Sequence, residues 1–147
     1  MSGWAIRRRD VRPGFLRRIC AAPNTADYGA FSLFAQWHAE TEALFDVPPH
    51  CFHPQPKVTS SVIRLTRRET KPFPVKDEGI LFRVIRAAFN QRRKTLVNAL
   101  SAGIGGLSKE TAEQLLTDCG FDPRVRGEAL DLAGFARIAD GIGQEAL

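Results

Sequence analysis

The chain lacks any long apolar run. No stretch of its 147 residues approaches the roughly 18 apolar positions of a membrane span, and no charged start leads into an apolar core as in a secretion signal. It also lacks the cysteines for a disulfide framework. Cys20, Cys51 and Cys119 are odd in number and widely spaced, which points to a reducing compartment and makes the cytoplasm the expected location. No glycine-rich phosphate loop follows a strand-like segment. No Ser–His–Asp arrangement is legible, and Asp27, Glu40 and Glu42 make no convincing acid–base pair. His50, Cys51 and His53 sit close together, but their spacing matches no standard zinc finger, no second ligand cluster exists, and Pro54 restrains the geometry; no metal site is expected. No internal repeat or low-complexity tract is present. A membrane span, a disulfide scaffold and a legible catalytic engine are all missing.

One sign of charge is missing locally. Residues 21–56 contain no lysine or arginine and sum to −4. The first twenty residues sum to +5, residues 57–98 to +8 and residues 99–147 to −4, for a net charge of +5. A basic block between acidic flanks is the pattern of a localised phosphate-binding face, and the competing reading is a merely solvated helix face. Apolar content of 44% with 25% charged residues is globular, and the length fits one ordinary domain or two small ones.

The richest stretch is Phe52 to Leu65, which reads Phe-His-Pro-Gln-Pro-Lys-Val-Thr-Ser-Ser-Val-Ile-Arg-Leu. Each proline fixes its own φ and biases the preceding residue towards extended geometry, so the segment is expected to be stiff. It would hold Phe52 and Lys57 at the mouth of a strand. Phe52 has two readings, a core anchor for the loop or an exposed ring that stacks on an unpaired base, with Lys57 neutralising a phosphate.

The first twenty residues, with Arg7-Arg8-Arg9 and Pro13-Gly14, read as a weakly ordered basic start; Asp10 and the Pro-Gly break argue against a transit peptide. Ala22 to Gly29 is turn chemistry, and Ala30 to Trp37 reads as a short helix. Glu40 to Val47 is an imperfect strand stopped by Pro48-Pro49, and Val58 to Arg67 is a clear one. The two would form an antiparallel pair, which is only marginally stable and wants a sheet to join. Residues 68–78 read as a linker. Beyond it the period turns helical: Leu81, Val84, Ile85, Ala88, Leu96 and Leu100 predict one helix over about 79–102. A second helix is expected from Ser108 to about Cys119, and a last one over Leu132–Ile142 with Asp131 as N-cap.

Phe89 to Leu96 is the densest polar cluster. On a continuous helix Arg83, Arg86, Asn90 and Arg93 or Lys94 would share one exposed face, a cationic ridge whose guanidinium forks suit phosphate oxygens. Arg92 falls near the apolar stripe, from which it would either snorkel or reach another domain.

These residues carry a family resemblance. Asp27-Tyr28-Gly29-Ala30-Phe31-Ser32, Leu44-Phe45-Asp46-Val47-Pro48-Pro49, Phe52-His53-Pro54-Gln55-Pro56-Lys57-Val58 and Ser61 resemble the end of the catalytic domain of small-subunit rRNA adenine N6,N6-dimethyltransferases, which are related to the erythromycin-resistance methylases. Phe82 to Leu96 is similar to their C-terminal signature, and Arg126, Glu128, Leu130 and Phe135 fit the closing stretch. The resemblance covers about residues 15–142. It implies an S-adenosylmethionine-dependent enzyme that doubly methylates adjacent adenosines of small-subunit rRNA during ribosome assembly. The implied fold is α+β: the terminal antiparallel strand pair of a Rossmann-like methyltransferase domain (residues 1–70) followed by a small three-helix, rRNA-binding domain (71–147). Phe52 and Lys57 match the substrate side of that site. Arg83, Arg86, Asn90, Gln91, Arg92, Arg93 and Lys94 would face rRNA or the pre-ribosomal small subunit. The family's glycine-rich cofactor loop, its acidic ribose-binding residue and its Asn-Leu-Pro-Tyr catalytic loop have no counterpart in the 147 residues. The expectation is therefore a truncated gene model or fragment, inactive alone, with the cofactor site elsewhere and a separate catalytic fragment as a conceivable partner. The alternative is a free-standing, non-catalytic RNA-binding module; the reading frame immediately upstream separates the two.

Overall fold

A computed structural model describes residues 3–7, 15–51, 53–55 and 60–142. The chain divides into two compact units, Met1–Ala21 with Ala26–Pro72, and Ala22–Thr25 with Phe73–Leu147. They are called unit 1 and unit 2.

Unit 1 is built on three strands, β1 (Gly3–Arg7), β2 (Ala39–Val47) and β3 (Ser60–Arg67), in the antiparallel order β1-β3-β2. The expected β2–β3 pair is present, with Thr41 opposite Leu65 and Glu42 opposite Arg64. A register shift between Ala43 and Phe45 bulges β2 at Leu44, which accounts for its imperfect alternation in the sequence. The third strand corrects two expectations. Two described parts of the basic start are regular structure: Gly3–Arg7 pairs with β3, from Gly3 opposite Thr66 to Arg7 opposite Val62, and Phe15–Ile19 forms a helix, α1. The pair β2–β3 therefore does have a sheet to join. Local sequence could not announce this, because β1 finds its hydrogen-bonding partners some sixty positions away.

Ala30–His38 forms the expected helix α2. Ser32, fully buried, is satisfied at its start: its hydroxyl accepts from the Gly29 N–H at 3.2 Å and donates to the Asp27 carbonyl at 3.4 Å. Gln36 ties α2 to the end of α1 by donating to the carbonyls of Ile19 (3.2 Å) and Ala21 (2.9 Å). Leu16, Ile19 and Ile63 form the cluster between helix and sheet, with Cys20, Ala35 and Leu65 packed against it. Strand alternation puts Ile63 inside and leaves Arg64 exposed, where it meets Glu42 at 3.3 Å.

Among its described residues unit 2 holds four α-helices: α3 (Glu78–Asn90), α4 (Leu96–Gly103), α5 (Lys109–Asp118) and α6 (Leu132–Ile142). Side chains cap each start. Asp77 accepts from the Gly79 N–H, Thr95 from Asn98, Ser108 from Thr111 and Asp131 from Gly134. Gly120, at φ +86°, turns the chain out of α5 in a conformation that L side chains rarely adopt. The single helix expected over about 79–102, and with it the three-helix count, needs correction. The helix stops at Asn90, and residues 91–94 make a turn closed by the Lys94 N–H on the Gln91 carbonyl at 3.0 Å. Thr95 then caps a new helix. The signal was in the sequence: after Ala88 the apolar stripe meets Arg92 instead of a core residue, and it resumes only at Leu96.

Candidate nucleic-acid interface

The outward face of α3 follows from its inward one. Leu81, Val84, Ile85 and Ala88 are buried, and residues three and seven positions apart on the other side, Arg83, Arg86 and Asn90, are left exposed. Arg92, Arg93 and Lys94 are exposed on the following turn, and Gln91 is half-buried. The ridge foreseen along one continuous helix is thus a helix face plus a turn. That arrangement spreads the cations over a broader surface than one helix row.

A second loop extends this surface. The Val125 carbonyl accepts the Leu96 N–H at 2.7 Å, which clamps residues 122–126 against the start of α4. The loop is itself closed by Asp122, whose carboxylate accepts the Arg124 N–H at 2.8 Å and whose carbonyl accepts the Val125 N–H at 3.0 Å. Arg124 and Arg126 flank Val125 and are exposed. Sequence reasoning did not place them at the interface. The available signal was the Asp122-Pro123 turn followed by two arginines spaced around one apolar residue.

Gly127 sets how closely the chain can then approach α3. A Cβ built there would lie 2.8 Å from the Ala88 Cβ, closer than side-chain carbons pack. That approach brings Glu128 to Arg92, with the carboxylate 3.6 Å from Nε, and the Arg92 guanidinium stands 6.0 Å from the centre of the Phe89 ring. Within unit 2, Arg92 acts as a brace between Phe89 and Glu128.

The electrostatics are one-sided. No Asp or Glu lies between Glu78 and Glu110. Arg83, Arg93, Lys94, Arg124 and Arg126 enter no ion pair among the described residues. Exposed cations grouped without counter-charges attract phosphate and gain energy by releasing its condensed counterions.

Phe52 and Lys57 lie outside the described residues. Around them Pro49–Cys51 forms a single helical turn, and His50, Cys51, His53, Pro54 and Gln55 are exposed. No group of three or more His, Cys, Asp or Glu that could hold a metal occurs among the described residues. Neither Cys20 nor Cys119 is an activated nucleophile. Burial pushes the Cys20 thiol up, against a lesser pull from its hydrogen bond with Thr41. Burial also raises the Cys119 thiol, with Arg137 opposing and Asp118 adding to the rise. No described helix is long and apolar enough to cross a membrane.

Comparison with known proteins matches residues 11–135 to the family model for ribosomal RNA adenine dimethylase. The chain is 46% identical over 127 residues to the ribosomal RNA small subunit methyltransferase A of Geobacillus kaustophilus, covering 85% of this chain and 43% of that protein. It is 45% identical over 129 residues to the protein of the same name from Lachnoclostridium phytofermentans, covering 87% and 44%. The chain thus spans less than half the length of these relatives. In fold it is similar to a dimethyladenosine transferase from Plasmodium falciparum, with a TM-score of 0.76 at 16% identity over 97% of this chain and 57% of that one. It is also similar to the 23S rRNA methyltransferase ErmE, with a TM-score of 0.66 at 18% identity over 97% and 55%.

Proposed function

The chain belongs to the ribosomal RNA adenine dimethylase family, and from that premise we propose that it is the RNA-holding part of an enzyme that dimethylates adjacent adenosines of small-subunit rRNA in the cytoplasm. The observation that carries the proposal is the group Arg83, Arg93, Lys94, Arg124 and Arg126, exposed on α3, the 91–94 turn and the 122–126 loop and in no ion pair among the described residues. A-form RNA is recognised mainly through phosphates, 2′-hydroxyls and shape. An exposed array of arginine forks, with Asn90 and Gln91 as hydrogen-bonding amides beside it, serves that mode of recognition. Phe52 would stack on the target adenine and Lys57 would take a neighbouring phosphate.

The family's methyl donor is S-adenosylmethionine, and the described residues that follow β2 and β3 do not fit it. β2 runs into Pro48-Pro49 and β3 into Arg68, so neither opens into the glycine-rich turn that brings backbone close to such a cofactor. We assign cofactor binding and the methyl-transfer step to residues outside these 147. The chain alone is then expected to incorporate no label from methyl-labelled S-adenosylmethionine into small-subunit rRNA.

RNA affinity measured against salt tests the binding role. Each phosphate contact contributes about 0.7–0.9 to the slope of log affinity on log salt. Neutralising Arg83, Arg86, Arg93 and Lys94 to glutamine should flatten that slope by roughly 3 for four contacts. Full-strength binding with an unchanged slope removes the ridge from the interface. A free-standing RNA-binding module is the second reading, favoured by unit 2 having its own buried core. It predicts the same salt slope, and no restoration of methyl transfer when a catalytic fragment of the family is added.

A further inference from the structure

Unit 1 contains a cavity of about 780 Å³ where the end of β3 and residues 68–71 meet the junction of α2 and β2. We propose that this cavity binds a nucleotide, taking the base against its apolar floor and the phosphate on its cationic rim. The site shares no residue with the interface of unit 2, and the proposal does not rest on that reading.

The floor is Ala39 and Leu65, with the Trp37 ring fully buried beneath them. The rim carries Arg67, Arg68 and Lys71 against Glu69, with Glu40 on the far side of Arg68. These cations differ in their commitments. Arg68 is part of the wall: its Nε donates to the Gln36 carbonyl at 3.0 Å, its backbone N–H donates to the His38 carbonyl at 3.1 Å, and its guanidinium faces Glu40 at 3.7 Å. Lys71 holds its ammonium 5.9 Å from the centre of the Trp37 ring, which keeps a positive charge directly over the apolar floor. Arg67 is exposed and enters no ion pair among the described residues.

The chemistry of the occupant follows from that division. The volume lies within the range of about 300–1,000 Å³ typical of small-molecule sites, far more than a bare phosphate fills. A purely apolar ligand would leave Arg67 without a counter-charge. A flat ring bearing a phosphate satisfies both halves, and a guanidinium fork is the side chain best matched to phosphate oxygens. His38, Glu69 and Thr70, which also line the cavity, can serve the polar edge of a base. A free nucleoside monophosphate and a nucleotide within an RNA strand present the same chemistry.

The test is nuclear magnetic resonance titration of the intact chain, read at the Trp37 indole N–H, which a Trp4→Phe variant distinguishes from that of Trp4. Adenosine monophosphate, adenosine, inorganic phosphate and an adenine hexanucleotide are the probes. The monophosphate or the hexanucleotide, or both, should shift the Trp37 signal saturably. Binding by the monophosphate alone assigns a free nucleotide, and binding by the hexanucleotide alone assigns an RNA strand. Adenosine and phosphate should each bind at least tenfold more weakly. R67Q/K71Q should weaken binding at least tenfold, whereas Lys109→Gln, an exposed position on α5 outside both sites, should leave it unchanged. If R67Q/K71Q disturbs the fold, Thr70→Trp, which fills the cavity mouth, should abolish the shift. The proposal is overturned if phosphate binds as well as the best nucleotide probe, if folded R67Q/K71Q binds normally, or if no probe moves the Trp37 signal.

Discussion

Unit 2 draws its core from all four of its helices. Leu81, Ile85, Leu96, Leu100, Leu116, Phe135 and Ile138 are each fully buried, and Phe89 packs on Phe135 with ring centres 6.0 Å apart. Unit 1 relies on a smaller set, chiefly Leu16, Ile19, Leu33, Trp37 and Ile63, and it leaves Phe31 44% and Phe45 58% exposed. The difference teaches where each unit's stability comes from. Helices in unit 2 satisfy their own backbones, and their stripes close on neighbours a few turns away. The sheet in unit 1 depends on pairing Gly3–Arg7 with Val62–Thr66, so chain entropy must be spent before any contact is gained. A three-stranded sheet with two short helices is close to the lower limit for independent stability.

The comparison can be broken most directly by separating the units. Residues 73–147 should unfold in one cooperative transition in urea, and residues 1–72 should show none; an equally sharp transition in the shorter piece would remove the distinction. Core truncation comes next. Leu100→Ala, at a fully buried site, should cost about 2–5 kcal/mol, whereas Phe45→Ala should change stability by only about 0.5 kcal/mol, both read from shifts in the urea midpoint. A comparable loss at Phe45 would mean that the sheet face is as tightly held as the helical core. Gly127→Ala tests the close approach to Ala88 and should cost about 1–3 kcal/mol, with a weaker hold of the 122–126 loop and lower RNA affinity. Asp131→Ala should remove roughly 1 kcal/mol through loss of the α6 cap. The smallest effect belongs to Glu42→Ala. Its partner Arg64 is more than half exposed, so the change should stay within about 0.5 kcal/mol and vanish at high salt.

How far each unit was legible follows the same division. The caps at Ser108 and Asp131, helix α6 over Leu132–Ile142 and the β2–β3 pair could all be read from the sequence, because each is set by neighbours within a few residues or by period-two alternation. The break at residues 91–94 is only weakly legible, since a period of 3.6 tolerates one polar intrusion such as Arg92; the Val125 carbonyl taking the Leu96 N–H holds the restart in place. Strand β1 was missed because nothing in Gly-Trp-Ala-Ile-Arg specifies which partner it finds.

The candidate interface divides the same way. By itself the sequence determined the basic block, the family and the helical face that leaves Arg83 and Arg86 outward, because charge content and side-chain periodicity are properties of the chain. Tertiary structure alone decided that the exposed Arg92 pairs with Glu128 and that the loop bearing Arg124 and Arg126 is clamped to Leu96, next to the basic turn. It also decided that a cavity opens between Trp37 and Lys71. Each of these is a contact between residues distant in sequence, set by the close packing of a glycine, a clamped carbonyl or the end of a strand, and no local pattern records such distances.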